Sequence, residues 1–442
     1  MSNPLFTIAE AAARARGVRD IEVIFARSVS ALTRFANNAI HQNVAENMHE
    51  ISVRVHENHR TARASTNRLN RDSIEAAVEQ AITLTRASNA DETLPDLAEP
   101  ADTPRFDRRF ASTAATTPAM RAAGVADAIR IVEDAGQIAA GIFETGESEE
   151  SIFNSRGLAT EHAGTMAKFS ITAMADGSSG WAKATSADFA EIDPRALATR
   201  AMNKARDSRN PREIAPGRYT VILEPAAVLD LVGMMFNDFS ATALADQRSF
   251  LTGRLHEKLF GENISIADDV SHPLQTGPPF DGEGVPRTAL RLVESGVPNN
   301  VAVSRSAALK SGLPATGHGF PLPNEVGEAP MNIVIGGGNS TIEDMIRSTE
   351  RGILITRLWY IREVDPYEKM MTGMTRDGTF LIERGEVVGG VRNFRFNQSI
   401  IEMLNNVETM SKSVRASGEE AIDMVVPAMK VHNFHLSGVT RF

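Results

Sequence analysis

RYTVILEPAAVLDLVGMMFNDF, residues 218–239, decides the fold class of this chain. Its first part, RYTVILEP, has the β-branched and apolar run of a strand, and the proline marks where a helix begins. Beyond it Val228, Val232, Met235, Phe236 and Phe239 recur at helical spacing and predict one apolar face, so a strand feeds directly into a helix. Downstream, ILITRLWYIREV, GTFLIERGEVV and VRNFRF read as successive strands joined by Gly-containing turns. Between them GGGNSTIEDMIRSTERG predicts a short helix, with Ser340 and Glu343 as capping box and Gly352 as its stop. The third segment, 213–442, is therefore expected to be mostly sheet with a few helices.

Upstream, residues 1–95 read as a small α/β unit. MSNPLFTIAEAAARARG starts an amphipathic helix without an apolar signal core. IEVIFAR, ALTRFANNAIHQNVAE and EISVRV follow as strand-like runs, HENHR as a turn and TARAST as the returning strand. Asp72 with Glu75 predicts a capping box for a helix through Ile74, Val78 and Ile82. A Pro/Asp/Thr/Ala-rich linker spans 96–117. A central α/β segment, 118–212, has helices opening at Pro118 and at Asp193-Pro194, with strand runs between. The whole is α+β.

Composition narrows the function. At 442 residues, 42% hydrophobic and 23% charged, the chain suits a soluble multi-segment protein. It has no cysteine, which removes disulfides, thiolate metal sites and a cysteine nucleophile and fits a cytoplasmic protein. A formal charge of -10, with only two Trp and three Tyr, argues against nucleic acid as a partner. No apolar run is long enough to cross a membrane.

A zincin helix needs a second histidine one turn after a His-Glu pair. His49-Glu50, His56-Glu57 and His256-Glu257 all lack it. His56 and His59 flank a hairpin turn. GGGNST lacks the Gly-Lys ending of a phosphate loop and reads as a tight strand-to-helix turn. DGSSG (176–180) reads as a hairpin turn, and Asp268-Asp269 as a cap or loop.

Longer phrases carry a resemblance. TRFANNAIHQNV, NSRG (154–157), ILEPAAVLDLV, FDGEGVPRTALRLVESGV (280–297), ATGHG (315–319), GGGNSTIEDMIRSTERGILIT, DPYEKMMTGMTRDGTFLIERGEVV and PAMKVHNFHLSG together resemble the TldD/PmbA family, over nearly the whole chain. The resemblance implies an N-terminal α/β part followed by a curved, barrel-like, mostly antiparallel C-terminal sheet. It also implies cytoplasmic peptidases acting in peptide maturation and on unfolded peptides. One branch carries a His-Glu-x-x-x-His zinc helix with a further C-terminal cysteine ligand. The other, TldE/PmbA-like, lacks the ligands and pairs with the first. Matching RYTVILEPAAVLDL to that pattern puts Phe236, Asn237 and Ala241 where the zinc branch has its His, Glu and His.

The expectation is thus a subunit with no catalytic residues, metal or cofactor of its own, whose TldD-like partner carries zinc. Its substrate would be an unfolded peptide, in a cleft lined by Asp281, Glu283, Arg287, Thr316, His318, Arg357 and Arg362. Two alternatives stand beside it. One is a homodimeric, non-catalytic peptide-binding or scaffold protein. The other is an active metallopeptidase with unusual ligands drawn from His318, His432 and His435.

Overall fold

A computed structural model describes residues 3–440. Met1 and Ser2, where the first helix was expected to start, lie outside the described residues; α1 runs Pro4–Ala15, capped by the Asn3 side chain. The chain continues through β1 (Asp20–Ala36), β2 (Ala39–Glu57), β3 (Arg60–Thr66), α2 (Arg71–Ala87), α3 (Ala111–Ala114), α4 (Pro118–Asp134), β4 (Ile138–Asn154), β5 (Ala159–Ala175), β6 (Ser178–Ser186) and α5 (Pro194–Asp207). The six strands form one antiparallel sheet in the order β3-β2-β1-β4-β5-β6, so the first and central segments share it. IEVIFAR and ALTRF, read as separate runs, are one strand. Their polar junction at Ser28 is paired on both sides, to Met48 and to Ser148, which keeps the backbone extended without apolar side chains.

Turn chemistry sets the hairpins. Asn37 and Asn38 have φ of 50° and 59°, and Asn58 and His59 have 52° and 57°, the left-handed pairs that match strand twist. The α2 cap is Asn70, whose side chain accepts the Ser73 N–H, not Asp72. Asp193 caps α5 as read. The expected linker is tied down at Arg108, which bridges to Gly164 and is buried.

Along β1 the faces alternate. Ile21 and Val23, with Val53 and Val55, pack on α1 and α2, while Phe35, Phe143 and Phe169 pack with α4 and α5. Glu22 and Ile24 point the other way. Ile24 and Ile152, neighbours in register, meet Phe280 of the C-terminal part.

That part runs β7 (Gly217–Leu223), α6 (Pro225–Val232), a 3-10 turn (Gly233–Asp238), α7 (Ala241–Ala245), β8 (Ile266–Asp268), β9 (Leu290–Glu294), β10 (Val297–Pro298), α8 (Arg305–Ser311), β11 (Ile333–Ile335), α9 (Ile342–Arg347), β12 (Arg351–Asp365), β13 (Met370–Glu383), β14 (Glu386–Gly390), β15 (Phe394–Ser399), α10 (Ile400–Asn405), β16 (Val407–Met410), β17 (Val414–Ala416), β18 (Met424–Val426) and β19 (Met429–Val439). Strands β12-β7-β19-β15-β13 pair in sequence and β13 pairs back to β12, closing a five-stranded barrel. A second sheet, β10-β9-β8-β11-β18-β17, lies beside it. The α+β class and the barrel-like C-terminal sheet are what the structure has.

Three local expectations change. The helix after β7 is not continuous to Phe239. It tightens at Gly233, where a Cβ would sit 2.4 Å from that of Ala421, and it breaks before the extended Ser240. The α9 capping box is Thr341 with Asp344, one residue along from Ser340 and Glu343. Gly352 lies inside β12, paired to Thr220, where a side chain would collide with the Thr220 carbonyl. No described helix is long and apolar enough to cross a membrane.

Candidate functional site: a groove between sheet and barrel part

Where the six-stranded sheet faces the C-terminal part, two hollows of about 740 and 590 Å³ adjoin at Thr276 and Pro278, which line both, and are together called the groove. One wall of the larger hollow is a cross-strand row, Glu50–Ala26–Glu150–His162, set by the registers of β1 with β2 and β4 and of β4 with β5. Residues in one row share a face, so these side chains look into the groove together. Burial pushes the Glu150 carboxyl up, with Arg287 opposing and Asp281 adding to the rise. His162 is held below its ordinary value by burial and by Arg108.

The smaller hollow is walled by the 415–423 loop. Asp230 of α6, fully buried, accepts the N–H groups of Glu419 (3.0 Å), Glu420 (2.9 Å) and Ala421 (3.3 Å) and so fixes this loop. Gly418 is required there, since a Cβ would lie 2.0 Å from Asp230 Oδ1. Burial outweighs the three donors and raises Asp230 to about 6.

Five of the seven expected cleft residues come together in one buried knot behind the groove. Asp281 Oδ1 accepts from the Glu283 and Val285 N–H groups at 2.9 and 3.0 Å, and Oδ2 from Gly319 N–H at 2.8 Å. This ties FDGEGV to ATGHG. Arg287 donates from Nε to the Phe280 carbonyl and from Nη1 to that of Gly317. Thr316 Oγ1 accepts the Val303 N–H at 2.9 Å and lies 2.9 Å from His318 Nδ1. The other ring nitrogen of His318 is 3.3 Å from Asp268 Oδ1. Burial pushes Asp268 up, but His318 and the Asn332 N–H outweigh it and hold the carboxyl low. Of the seven, only Arg287 lines the groove. Asp268, read as a cap or loop, is the partner of His318 and also accepts the Met331 and Asn332 N–H groups.

Glu283 sits against Arg305 at 3.1 Å, while its Oε1 is buried with no hydrogen-bond partner. Arg54 and Glu22 of the sheet act on it electrostatically, so the knot is continuous with a buried ion cluster: Glu22 to Arg63 at 2.7 Å and to Arg54 at 3.4 Å. Burial raises Glu283 from 4.5 to about 7. A carboxyl raised on folding holds its proton more tightly in the folded state. Its contribution to stability is therefore full below the unfolded value and is lost as pH rises through about 7. Glu283→Gln is expected to flatten the loss of urea resistance between about pH 5 and pH 8 by on the order of 1–3 kcal/mol. An unchanged slope would assign the titration elsewhere.

The remaining two lie apart. Arg357 is buried, bonded to Asp377 Oδ2 from Nε at 2.8 Å, with Trp181 and Trp359 rings 4.9 and 5.4 Å away. Arg362 is a surface residue over Tyr360, 3.5 Å from Glu420. Sequence reading missed Lys168, Lys183, Arg415, Glu50, Glu150 and His162 as groove residues. Strand alternation could have put Glu50 and Glu150 on one face, but nothing local marks what opposes them.

Phe236 and Ala241 are buried and Asn237 exposed, and they do not share a helix. Phe236 packs on Phe239, ring centroids 6.1 Å apart. The carboxylate of that stretch, Asp238, is taken by Lys369 and the Phe250 N–H. Zinc needs nitrogen, sulfur or carboxylate donors with free lone pairs, so these residues do not fit it. Among the described residues no three His, Cys, Asp or Glu side chains group to hold a metal ion.

Known proteins place this architecture. Matches are found to PmbA/TldA metallopeptidase domain 1 over residues 21–85, to the central domain over 95–209 and to the C-terminal domain over 216–438. Fold and matches together define a peptidase-like α+β protein. The chain belongs to the PmbA/TldD family. The crystal structure of TldE from Thermococcus kodakarensis is similar to it with a TM-score of 0.89 and 22% identity, over 98% of this chain and 100% of that one. An uncharacterized protein of Methanocaldococcus jannaschii is 31% identical over 170 residues, 38% of this chain and 40% of that one. A protein of Methanothermobacter thermautotrophicus named a metalloprotease is 24% identical over 213 residues, 45% of this chain and 44% of that one. The matched stretches thus span less than half of these curated relatives.

Proposed function

We propose that the chain is the metal-free, TldE/PmbA-like subunit of a heterodimeric metallopeptidase that degrades or matures unfolded peptides. Its groove holds the peptide in extended form, and a zinc-bearing TldD-like partner supplies the hydrolytic chemistry; the cytoplasm is the proposed compartment. The observation that carries this reading is the 236–241 stretch, where the match to the family pattern puts a core phenylalanine, an asparagine and a buried alanine at the ligand positions. The absence of any cysteine from the sequence supports it independently. So does the larger hollow, whose volume of about 740 Å³ and polar lining on the sheet face have room for a peptide. The likeness in fold to TldE and the partial match to a protein named a metalloprotease are in keeping with it.

A peptidase built on His318, His432 and His435 is disfavoured, because the three are engaged separately. His318 is buried against Asp268, His432 contacts Glu408 at 2.7 Å, and His435 Nδ1 lies 3.2 Å from the Asn397 carbonyl. The test is reconstitution with a zinc-bearing homologue. Mixed chains are expected to cleave an unfolded peptide at least about tenfold faster than either alone. Equal cleavage by this chain alone, or a full equivalent of zinc in it, overturns the reading. A homodimer that ignores the homologue yet binds peptide would establish the scaffold alternative instead.

A further inference from the structure

The two ends of the groove carry opposite charge. The 590 Å³ hollow is lined by four cations, Lys168, Lys183, Arg287 and Arg415, and by two carboxylates, Glu419 and Asp423, while Arg287 also acts on the Asp281 and Glu150 carboxyls behind and beside it. Glu419 lies 3.0 Å from Lys183, while Asp423 is divided between Lys168 at 3.5 Å and Arg415 at 3.7 Å. Arg287 bonds to carbonyl oxygens and to no carboxylate among the described residues. Behind the 276–278 strap Arg108 donates to the Gly277 and Val270 carbonyls and adds another cation. Burial and the neighbouring Arg415 pull it down to about 10, so it stays charged at neutral pH. The 740 Å³ hollow is the reverse. Glu50, Glu149 and Glu150 line it, and its Arg27 is already paired with Glu149 at 3.0 Å.

A surplus of lysine and arginine in a partly enclosed hollow attracts an oxyanion, which these groups bind through charge-assisted hydrogen bonds. The continuation of the hollow determines which oxyanion. A free phosphate would have no use for a groove leading away to carboxylates. An extended peptide has both charges itself, a carboxylate at one end and an ammonium at the other. Complementary charges at the two ends would set the direction in which it lies.

We propose that Lys168, Lys183, Arg287 and Arg415 form a subsite for the C-terminal carboxylate of an extended peptide, whose chain runs past Thr276 and Pro278 toward Glu50 and Glu150. This rests on the groove being the peptide site proposed above, and it names the substrate class: peptides with a free C-terminus, recognised by that end and not by side-chain sequence.

The probe is an octapeptide of alanine, valine and threonine, with a fluorophore on a central lysine side chain. It is used with both ends free, with a C-terminal amide, or with an N-acetyl group. Anisotropy titration of the full chain is expected to show the free acid binding about tenfold more tightly than the amide, with N-acetylation costing less than about threefold. In Lys168→Gln/Lys183→Gln, the acid should fall to the affinity of the amide while the circular dichroism spectrum and urea midpoint stay native; an acid that keeps its advantage in the folded variant overturns the subsite. Equal binding of acid and amide to the native chain overturns the subsite and leaves the peptide groove standing. Failure of all three forms to bind overturns both.

Discussion

Glu22→Ala is expected to lower the stability of the chain by about 3–5 kcal/mol, the cost of leaving a buried ion cluster without its carboxylate. Glu22 and Arg54 are 0% and 1% exposed, on neighbouring strands in direct register. Glu22 Oε1 is 2.7 Å from Arg63 Nη2 and 3.4 Å from Arg54 Nε, so one carboxylate serves two guanidinium groups. None of the Arg54 nitrogens makes a well-aligned hydrogen bond, so electrostatic attraction is what compensates its burial. Without Glu22, Glu283 from the opposite layer still acts on Arg54, but Glu283 is already committed to Arg305. The measurement is the urea midpoint, followed by circular dichroism. Glu22→Gln/Arg54→Met, which removes one charge of each sign, should lose much less than the sum of its single variants. Additive losses would mean that the two groups act separately.

This cluster marks the limit of what the sequence reveals. The strand-to-helix stretch at 218–239, the HENHR hairpin turn and the α5 cap are local signals, and each is close to where the structure has it, whereas the Asn37-Asn38 turn divides ALTRFANNAIHQNVAE, which reads as one run. Caps slipped by one or two residues, to Asn70 and Thr341, because several neighbouring polar residues could serve and the backbone geometry chooses among them. The family phrases FDGEGV and ATGHG suggest cleft lining, but their acids and histidine mostly build the knot that holds the groove's wall. A motif reports that a constellation is constrained; it does not say whether the constraint is contact with a ligand or burial. The groove residues proper, Lys168, Lys183 and Arg415, come from β5, β6 and β17, and only packing of the sheet against the distant 415–423 loop makes them neighbours. No periodicity within one segment encodes that.

The stretch at 236–241 allows a sharper prediction. Phe236→His/Asn237→Glu/Ala241→His writes the family's ligand letters into this chain, and it is expected to lose about 3–5 kcal/mol without gaining a zinc ion. Phe236 is 4% exposed and packs on Phe239, which in turn meets Phe250 edge-on at 5.9 Å. An imidazole there leaves space around a smaller ring and buries nitrogens beside aromatic carbon. The backbone opposes the site as well. Phe236 and Asn237 belong to a 3-10 turn that ends at Asp238, while Ala241 opens a separate helix after the extended Ser240, with φ of -129°. Ligands that one helix would aim at a common point are therefore carried by two elements, and the nearby carboxylate, Asp238, is held by Lys369. Metal analysis after dialysis against zinc, with a urea titration beside it, reads both effects. A stoichiometric zinc ion in a variant of native stability would show that the stretch is a zinc helix lacking only its letters. Loss of stability without metal would show that the stretch serves as core and is not a zinc helix lacking only its letters.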